Sequence, residues 1–270
     1  SSVTGPAVAV ALSTYQGGSV RVGGPADMVV VSDLRNFEVY RVYIDGRLAA
    51  MDGRSLFVSR PKSYPSGILK RNTHPSDYYV KSMEPNVTVR VMEAADGRIA
   101  TGSSTAVLRT EYGKVMPDVS EDVLLMAVVS RYEKRDPTVA FVRGFGIWEG
   151  AMASSVSHDS HNLIAVATSY ELLAAAINAV SASGGHYFTD GESESLNPLP
   201  VAGLMSTDDP ETVAFRERQT VYFARTNGCN MRAPFMTLGF QALLNVPSLK
   251  LCDRGLFDSA AYRFTDVILR

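Results

Sequence analysis

Val123-Leu-Leu-Met-Ala-Val-Val129 is the stretch that decides the fold. An apolar run of this length, with no polar residue at alternate positions, reads as a strand covered on both faces. Working outward, Val87, Val89 and Val91 alternate with Thr88, Arg90 and Met92 before a turn at Asp96-Gly97, and Thr138 to Trp148 forms a further strand interrupted by Gly144 and Gly146. Thr168 and Glu171 make a capping box ahead of a helix that carries Leu172, Leu173, Ile177 and Val180, with Gly184 as its C-cap. Asp209-Pro210-Glu211 opens a second helix, for which Gly228 is a natural stop.

Nearer the N-terminus, Met28-Val-Val-Val31 reads as a buried strand and Phe37 to Ile44 alternates. Asp45-Gly46 and Asp52-Gly53 are hairpin turns, since both residue types tolerate positive φ. Residues 20–58 are therefore expected to form a small antiparallel sheet. Ala7 to Leu12 reads as a helix end or buried strand, and the proline-rich stretch Pro61 to Pro85 as a connection across the surface. The expected fold class is α+β, a small antiparallel β segment followed by a layered α/β C-terminal domain, divided as 1–60 and 61–270.

With 26 basic and 28 acidic residues the net charge is -2, so no basic excess exists to neutralise a phosphate backbone and nucleic acid is not an expected partner. No apolar run approaches the ~20 residues that span a bilayer, so no membrane partner is expected either. Cys229 and Cys252 are too few and too far apart for a disulfide scaffold, which points to a reducing cytoplasm. Ser1-Ser-Val-Thr-Gly-Pro6 shows neither an initiator Met nor a signal peptide, and the chain reads as though cut from something longer.

The titratable residues concentrate in Ser157-His-Asp-Ser-His-Asn162, between the small-residue run Gly150 to Ser155 and the apolar Leu163-Ile-Ala-Val166. Such a cluster between apolar runs is expected on a loop or strand end at the rim of a sheet. His158 and His161 with Asp159 could ligate a metal. A His-Asp pair could instead move a proton near neutral pH. The same side chains could also simply hold a turn together. His158, Asp159, His161 and Asn162 are the candidate catalytic residues. His186 is expected to meet a helix C-terminus, and His74 to be solvated. Arg254 could bind an anion, although pairing with Asp253 is the commoner arrangement for such a charge. There is no Gly-x-Ser-x-Gly elbow, no P-loop and no Gly-x-Gly-x-x-Gly after a strand. His-x-Glu and Pro-Cys-x-x-Cys are absent too, which excludes zinc chemistry of the cytidine deaminase type.

Phe141-Val-Arg-Gly-Phe-Gly146 followed by Gly150-Ala-Met-Ala-Ser-Ser-Val-Ser-His-Asp-Ser-His-Asn162 resembles the signature of the adenine deaminase C-terminal domain. Pro198 to Ser206, Ala233 to Leu238 and Leu251 to Leu256 extend the resemblance in order across roughly residues 60–270. Gly24 to Val31 and Val42 to Arg47 resemble the β-sandwich segment that follows the barrel in amidohydrolases. The resemblance implies hydrolysis of adenine to hypoxanthine and ammonia in purine salvage, by hydroxide on a divalent metal, manganese or iron. It implies ligands on a (β/α)₈ barrel of ~250 residues, beginning with a His-x-His pair that this sequence lacks. No metal ligand is thus expected on this chain. Its expected partners are adenine, a barrel segment upstream and further copies of itself, and its expected role is a wall of the active site, a subunit interface, or both. Two other readings stand beside this one, a non-catalytic binding or assembly module and a self-contained hydrolase built on His158, Asp159 and His161.

Overall fold

The computed structural model describes residues 22–57 and 64–269, and the Ala7–Leu12 stretch lies outside them. The chain forms two compact units, within residues 1–60 and 61–270. In the first, β1 (Met28–Val31), β2 (Val39–Ile44), β3 (Arg47–Met51) and β4 (Arg54–Ser55) make an antiparallel meander in sequence order. Asp45 and Gly46 (φ 52° and 75°) and Asp52 and Gly53 (φ 50° and 76°) close its two tight hairpins, as paired positive-φ turn residues should. Burial corrects the reading of Met28–Val31. Met28, Val29 and Val30 are exposed, and Ala49 is the one buried hydrophobic among the described residues of this unit. Four short strands without a second layer cannot cover their own side chains.

The second unit is built on a nine-stranded sheet. Its strands are β5 (Asn86–Glu93), β6 (Gly102–Glu111), β7 (Lys114–Val115), β8 (Leu124–Val129), β9 (Thr138–Arg143), β10 (Ala151–Ser154), β11 (Leu163–Ala167), β12 (His186–Thr189) and β13 (Glu194–Asn197). They run in the order β13-β12-β10-β11-β8-β9-β5-β6-β7, antiparallel except where β5 meets β9. The helices are α1 (Tyr170–Ser183), α2 (Pro210–Thr226) and α3 (Pro234–Phe240), and β14 (Leu249–Cys252), β15 (Gly255–Asp258) and β16 (Arg263–Thr265) form a separate three-stranded sheet.

The apolar run of β8 is explained by two cores, one on each side. Leu125, Ala127 and Val129 pack with Leu173, Ile177 and Val180 of α1. Leu124, Met126 and Val128 pack with Ala224 of α2, Phe235 and Leu238 of α3, and Leu249 and Leu251 of β14. Because strand side chains alternate between faces, a strand between two cores must be apolar at every position. All of β8 is buried, and the α+β layering follows from it.

Two local readings shift. The N-cap of α1 is Ser169, whose Oγ accepts from Leu172 N, while Thr168 Oγ1 accepts instead from Gly150 N at 3.1 Å. Residues 64–85 do more than connect. Leu69 N donates to Arg131 O, Arg71 N to Ser181 Oγ, and Tyr78 is buried. The apolar Ile68 and Tyr78 within that polar stretch pack against the α1 side of the core.

Candidate functional site

The candidate cluster lies in the connection between β10 and β11, which pair antiparallel with Ser154 opposite Ile164. Ser154, Ser155 and Ser157 are fully buried and build the loop. Ser154 Oγ accepts from Val156 N at 2.9 Å, Ser155 Oγ accepts from Gly185 N at 2.7 Å and donates to Gly203 O, and Ser157 Oγ donates to Asn162 O at 2.6 Å. His161 N donates to Ser157 O at 2.8 Å, closing the loop on itself. On the α3 side, His158 N donates to Gly239 O at 3.1 Å. A Cβ on Gly239 would stand 2.7 Å from Val156 O, so the helix approaches this closely only with glycine there.

Arg131 holds the loop from beneath. It is 4% exposed, and its guanidinium donates to His161 O, Ser66 O and Ala202 O, three backbone carbonyls from separate segments. Its backbone N donates to Asn162 Oδ1 at 3.2 Å. A guanidinium offers five donors in a fixed plane, so one side chain can tie several strands of backbone together. Tyr132 follows with a hydroxyl that donates to Ser160 O at 2.7 Å.

The four candidate side chains separate into two environments. Asn162 is buried and spent on the Arg131 backbone, which is a structural use of its amide. His161 is half-buried at φ 53°, and its Nδ1 is buried without a hydrogen-bond partner among the described residues. His158 is half-buried with its ring stacked on Phe240, centroids 5.1 Å apart at 25°. The two imidazoles stand edge to face, 6.3 Å between centroids. Asp159 is exposed and lines a cleft, without a hydrogen bond to either ring. Among the described residues no three His, Cys, Asp or Glu side chains converge as a metal site.

Asp159 and Ser160 share their cleft of about 440 Å³ with Asn245, Asp253 and Arg254. Sequence distance hid this neighbourhood. Arg254 was expected to pair with Asp253, but its guanidinium forms no ion pair among the described residues. The β14–β15 turn carries both residues and turns them outward from a two-residue hairpin, Cys252 opposite Gly255.

Two further groups escaped the sequence, Glu217 and Lys250. His186 begins β12, and its partner is Glu217 of α2 at 2.8 Å rather than a helix end. Its ring lies flat on Phe235, 4.4 Å away at 3°. Burial pushes the Glu217 carboxyl up, but the His186 hydrogen bond and charge, with Asn197 Nδ2 donating at 2.8 Å, outweigh it and hold the group below its ordinary value. Lys250 in β14 is fully buried, its Nζ donating to Ile99 O and Phe240 O at 2.8 Å each. Burial draws its pKa from the ordinary lysine value down to about 8. Phe240 is the residue on which His158 stacks, so Lys250 fixes the base of that contact. The only signal in the sequence was a lysine at the centre of Leu249-Lys-Leu-Cys252. His74 is exposed, as expected of a solvated position.

Comparison with known proteins gives this arrangement a context. Residues 98–263 match the family model of the adenine deaminase C-terminal domain. An adenine deaminase of Salinibacter ruber is 42% identical over 251 residues, covering 92% of this chain and 46% of the relative. One from Methanothermobacter thermautotrophicus is 39% identical over 269 residues, covering 97% and 49%, and one from Sulfurovum is 40% identical, covering 92% and 45%. The chain thus spans about half the length of the curated relatives it matches.

Proposed function

The chain belongs to the adenine deaminase C-terminal domain family, and from that premise we propose that it is part of a metal-dependent adenine deaminase, converting adenine and water to hypoxanthine and ammonia. The ordered match over most of the chain carries the reading. In it, a divalent metal, manganese or iron, is held by a barrel segment outside these residues, where it supplies hydroxide at neutral pH.

What this chain contributes is a rigid wall. Arg131, the buried serines and Asn162 fix the loop that carries His158 and Asp159. Preorganised polar groups of this kind bind and orient a substrate at little cost at the moment of reaction. In this reading His158 holds or moves a proton at an imidazole nitrogen, while Asp159 accepts one from an amine or ring N–H. The first unit adds a second support. Its exposed Met28, Val29, Val30, Tyr40 and Ile44 suit a sheet that another layer covers, and we assign that cover to the remaining half of the enzyme.

The chain carries no helix, among its described residues, that is long and apolar enough to cross a membrane. A cytoplasmic location and assembly as a homo-oligomer are further parts of the proposal. The test is ammonia release from adenine by this chain joined to the barrel segment of a relative and loaded with manganese or iron. Turnover lost on leaving out residues 61–270 supports the reading; a loaded, folded fusion without ammonia release sinks it. A non-catalytic assembly module is the second reading, favoured by the missing ligand set, and purine turnover by the fusion would exclude it.

A further inference from the structure

One side of α2 holds it to the second unit. Thr220 and Ala224 are its buried residues, Val221 and Phe223 pack against the core beside them, and Glu217 answers His186. The opposite side carries Glu211, Phe215, Arg218, Tyr222 and Arg225, all exposed, with Phe215 at 54% and Tyr222 at 68%. Their spacings of four, three, four and three residues place them on one stripe along the helix, the spacing of a helix–helix seam. Two aromatic rings exposed on such a stripe, in a helix whose other side already faces the core, mark a surface that a partner covers.

Charge selects the partner. From its N-terminal to its C-terminal end the stripe reads acid, aromatic, arginine, aromatic, arginine. Reversed and laid on itself, it is its own complement: Glu211 meets Arg225 of the second copy at each end, and Phe215 meets Tyr222 between them. A parallel pairing would set Glu211 on Glu211 and Arg225 on Arg225, and like charges oppose it. Neither Glu211 nor Arg225 forms an ion pair among the described residues, and Arg225 gives one N–H, at 3.5 Å, to Met231 O. We propose that the outer face of α2 is an interface between two copies of this chain, packed antiparallel about a two-fold axis at Arg218. There the planar guanidinium of Arg218 lies over the Tyr222 ring of the second copy. A two-fold interface of this kind uses the same patch on both subunits and closes at two copies. With 17 residues α2 is ~25 Å long. One helix face of that length gives a contact near the small end of specific interfaces, ~1,200 Å², so association is expected at micromolar concentration. The proposal names the surface of the homo-oligomer and rests on that part of the function proposed above; it does not depend on deamination.

The test is sedimentation velocity of the purified chain from ~1 to ~100 μM. Wild type is expected to pass from one to two copies of the 29.2 kDa chain over this range. Tyr222→Glu and Phe215→Ser should each weaken association at least about tenfold. Glu211→Arg and Arg225→Glu should do the same singly. Combined, the two reversals should restore association to within about threefold of wild type, a rescue that only contact between Glu211 and Arg225 of different copies produces. Tyr222 and Phe215 are exposed, so their variants should keep the wild-type Tm. They keep the test sharp if Glu211→Arg loosens the first turn of α2, where its new charge opposes the helix dipole. A monomer throughout the range would overturn this interface and the homo-oligomer together. A dimer that ignores Tyr222→Glu, or a double reversal no better than either single one, would overturn the interface alone. A dimer lost in Tyr222→Glu, beside a loaded fusion that releases no ammonia, keeps the interface and removes the deaminase reading.

Discussion

The nine-stranded sheet and the four-stranded sheet are made of similar residues and live in opposite surroundings. β8 reads LLMAVV and is buried at every position; β1 reads MVVV and is exposed along most of its length. What differs is what the rest of each unit brings. β8 has α1 on one side and α2, α3 and β14 on the other, whereas the described residues of the first unit add no helix and no second sheet. Apolar composition thus marks a surface that will be covered somewhere, and the coverer need not be near in the chain.

The largest expected effect breaks this comparison at its centre. Phe141→Ala in β9 removes a fully buried ring from the α1 side of the core and should cost ~3–5 kcal/mol in denaturant unfolding. Val30→Ala in β1 should change stability by no more than ~0.5 kcal/mol, as exposed positions do. Measured in the fusion to a relative's barrel segment instead, Val30→Ala is expected to cost more, and equal small values in both would refute the idea that this face is covered there.

Arg131→Met comes next. Removing the guanidinium leaves the carbonyls of Ser66, His161 and Ala202 without their buried donor, and local opening of the loop, which lets water replace it, should limit the net loss to ~1–3 kcal/mol. Amide hydrogen exchange across residues 157–162 should quicken markedly while β8 stays protected. Uniform loosening of both would show that Arg131 serves the whole core and not the loop.

Lys250 allows a pH test of known sign. Its folded pKa of about 8 lies below the unfolded value near ~10.4. Between those values the unfolded chain binds more protons, so this lysine makes stability rise with pH across that window, with no effect below it. Tyr78, Tyr170 and Tyr187, each pushed up to about 12 by burial, oppose it above their unfolded pKa. The difference between wild type and Lys250→Met therefore isolates the lysine: melting curves from pH 8 to 10 should rise relative to the variant.

The smallest effect concerns Glu217. Its folded pKa is depressed, so its contribution is present above the unfolded carboxylate value and is lost as pH falls through the folded one. Glu217→Gln should flatten that acid-side loss in the protection of α2, and an unchanged acid limb would deny the His186–Glu217 pair a role.

Much of the architecture was legible, and particular residues show why. The continuous run at 123–129 announced a doubly covered strand, and the two Asp-Gly pairs announced their hairpins, because backbone preference and side-chain alternation act over a few residues. The cluster at 157–162 was visible as a rim loop for the same reason. Its inner workings were not. Nothing local distinguishes Asn162, which holds the Arg131 backbone, from Asp159, which faces a cleft. The offset of one residue at the α1 cap is equally instructive, since Thr168 and Ser169 are both good caps and Gly150, eighteen positions away, claimed Thr168.

By itself, then, the sequence determined the doubly covered strand at 123–129, the two Asp-Gly hairpins, the two long helices and the family to which the ordered blocks belong. Tertiary structure alone decided that Arg131 lies beneath the loop, that Glu217 answers His186, that Lys250 is buried under Phe240, and that Asp159 and Arg254 share one cleft. The reason is physical. Helix and strand formation depend on neighbours a turn away, whereas the charge of a buried group is settled by partners that only chain topology brings within a few ångströms.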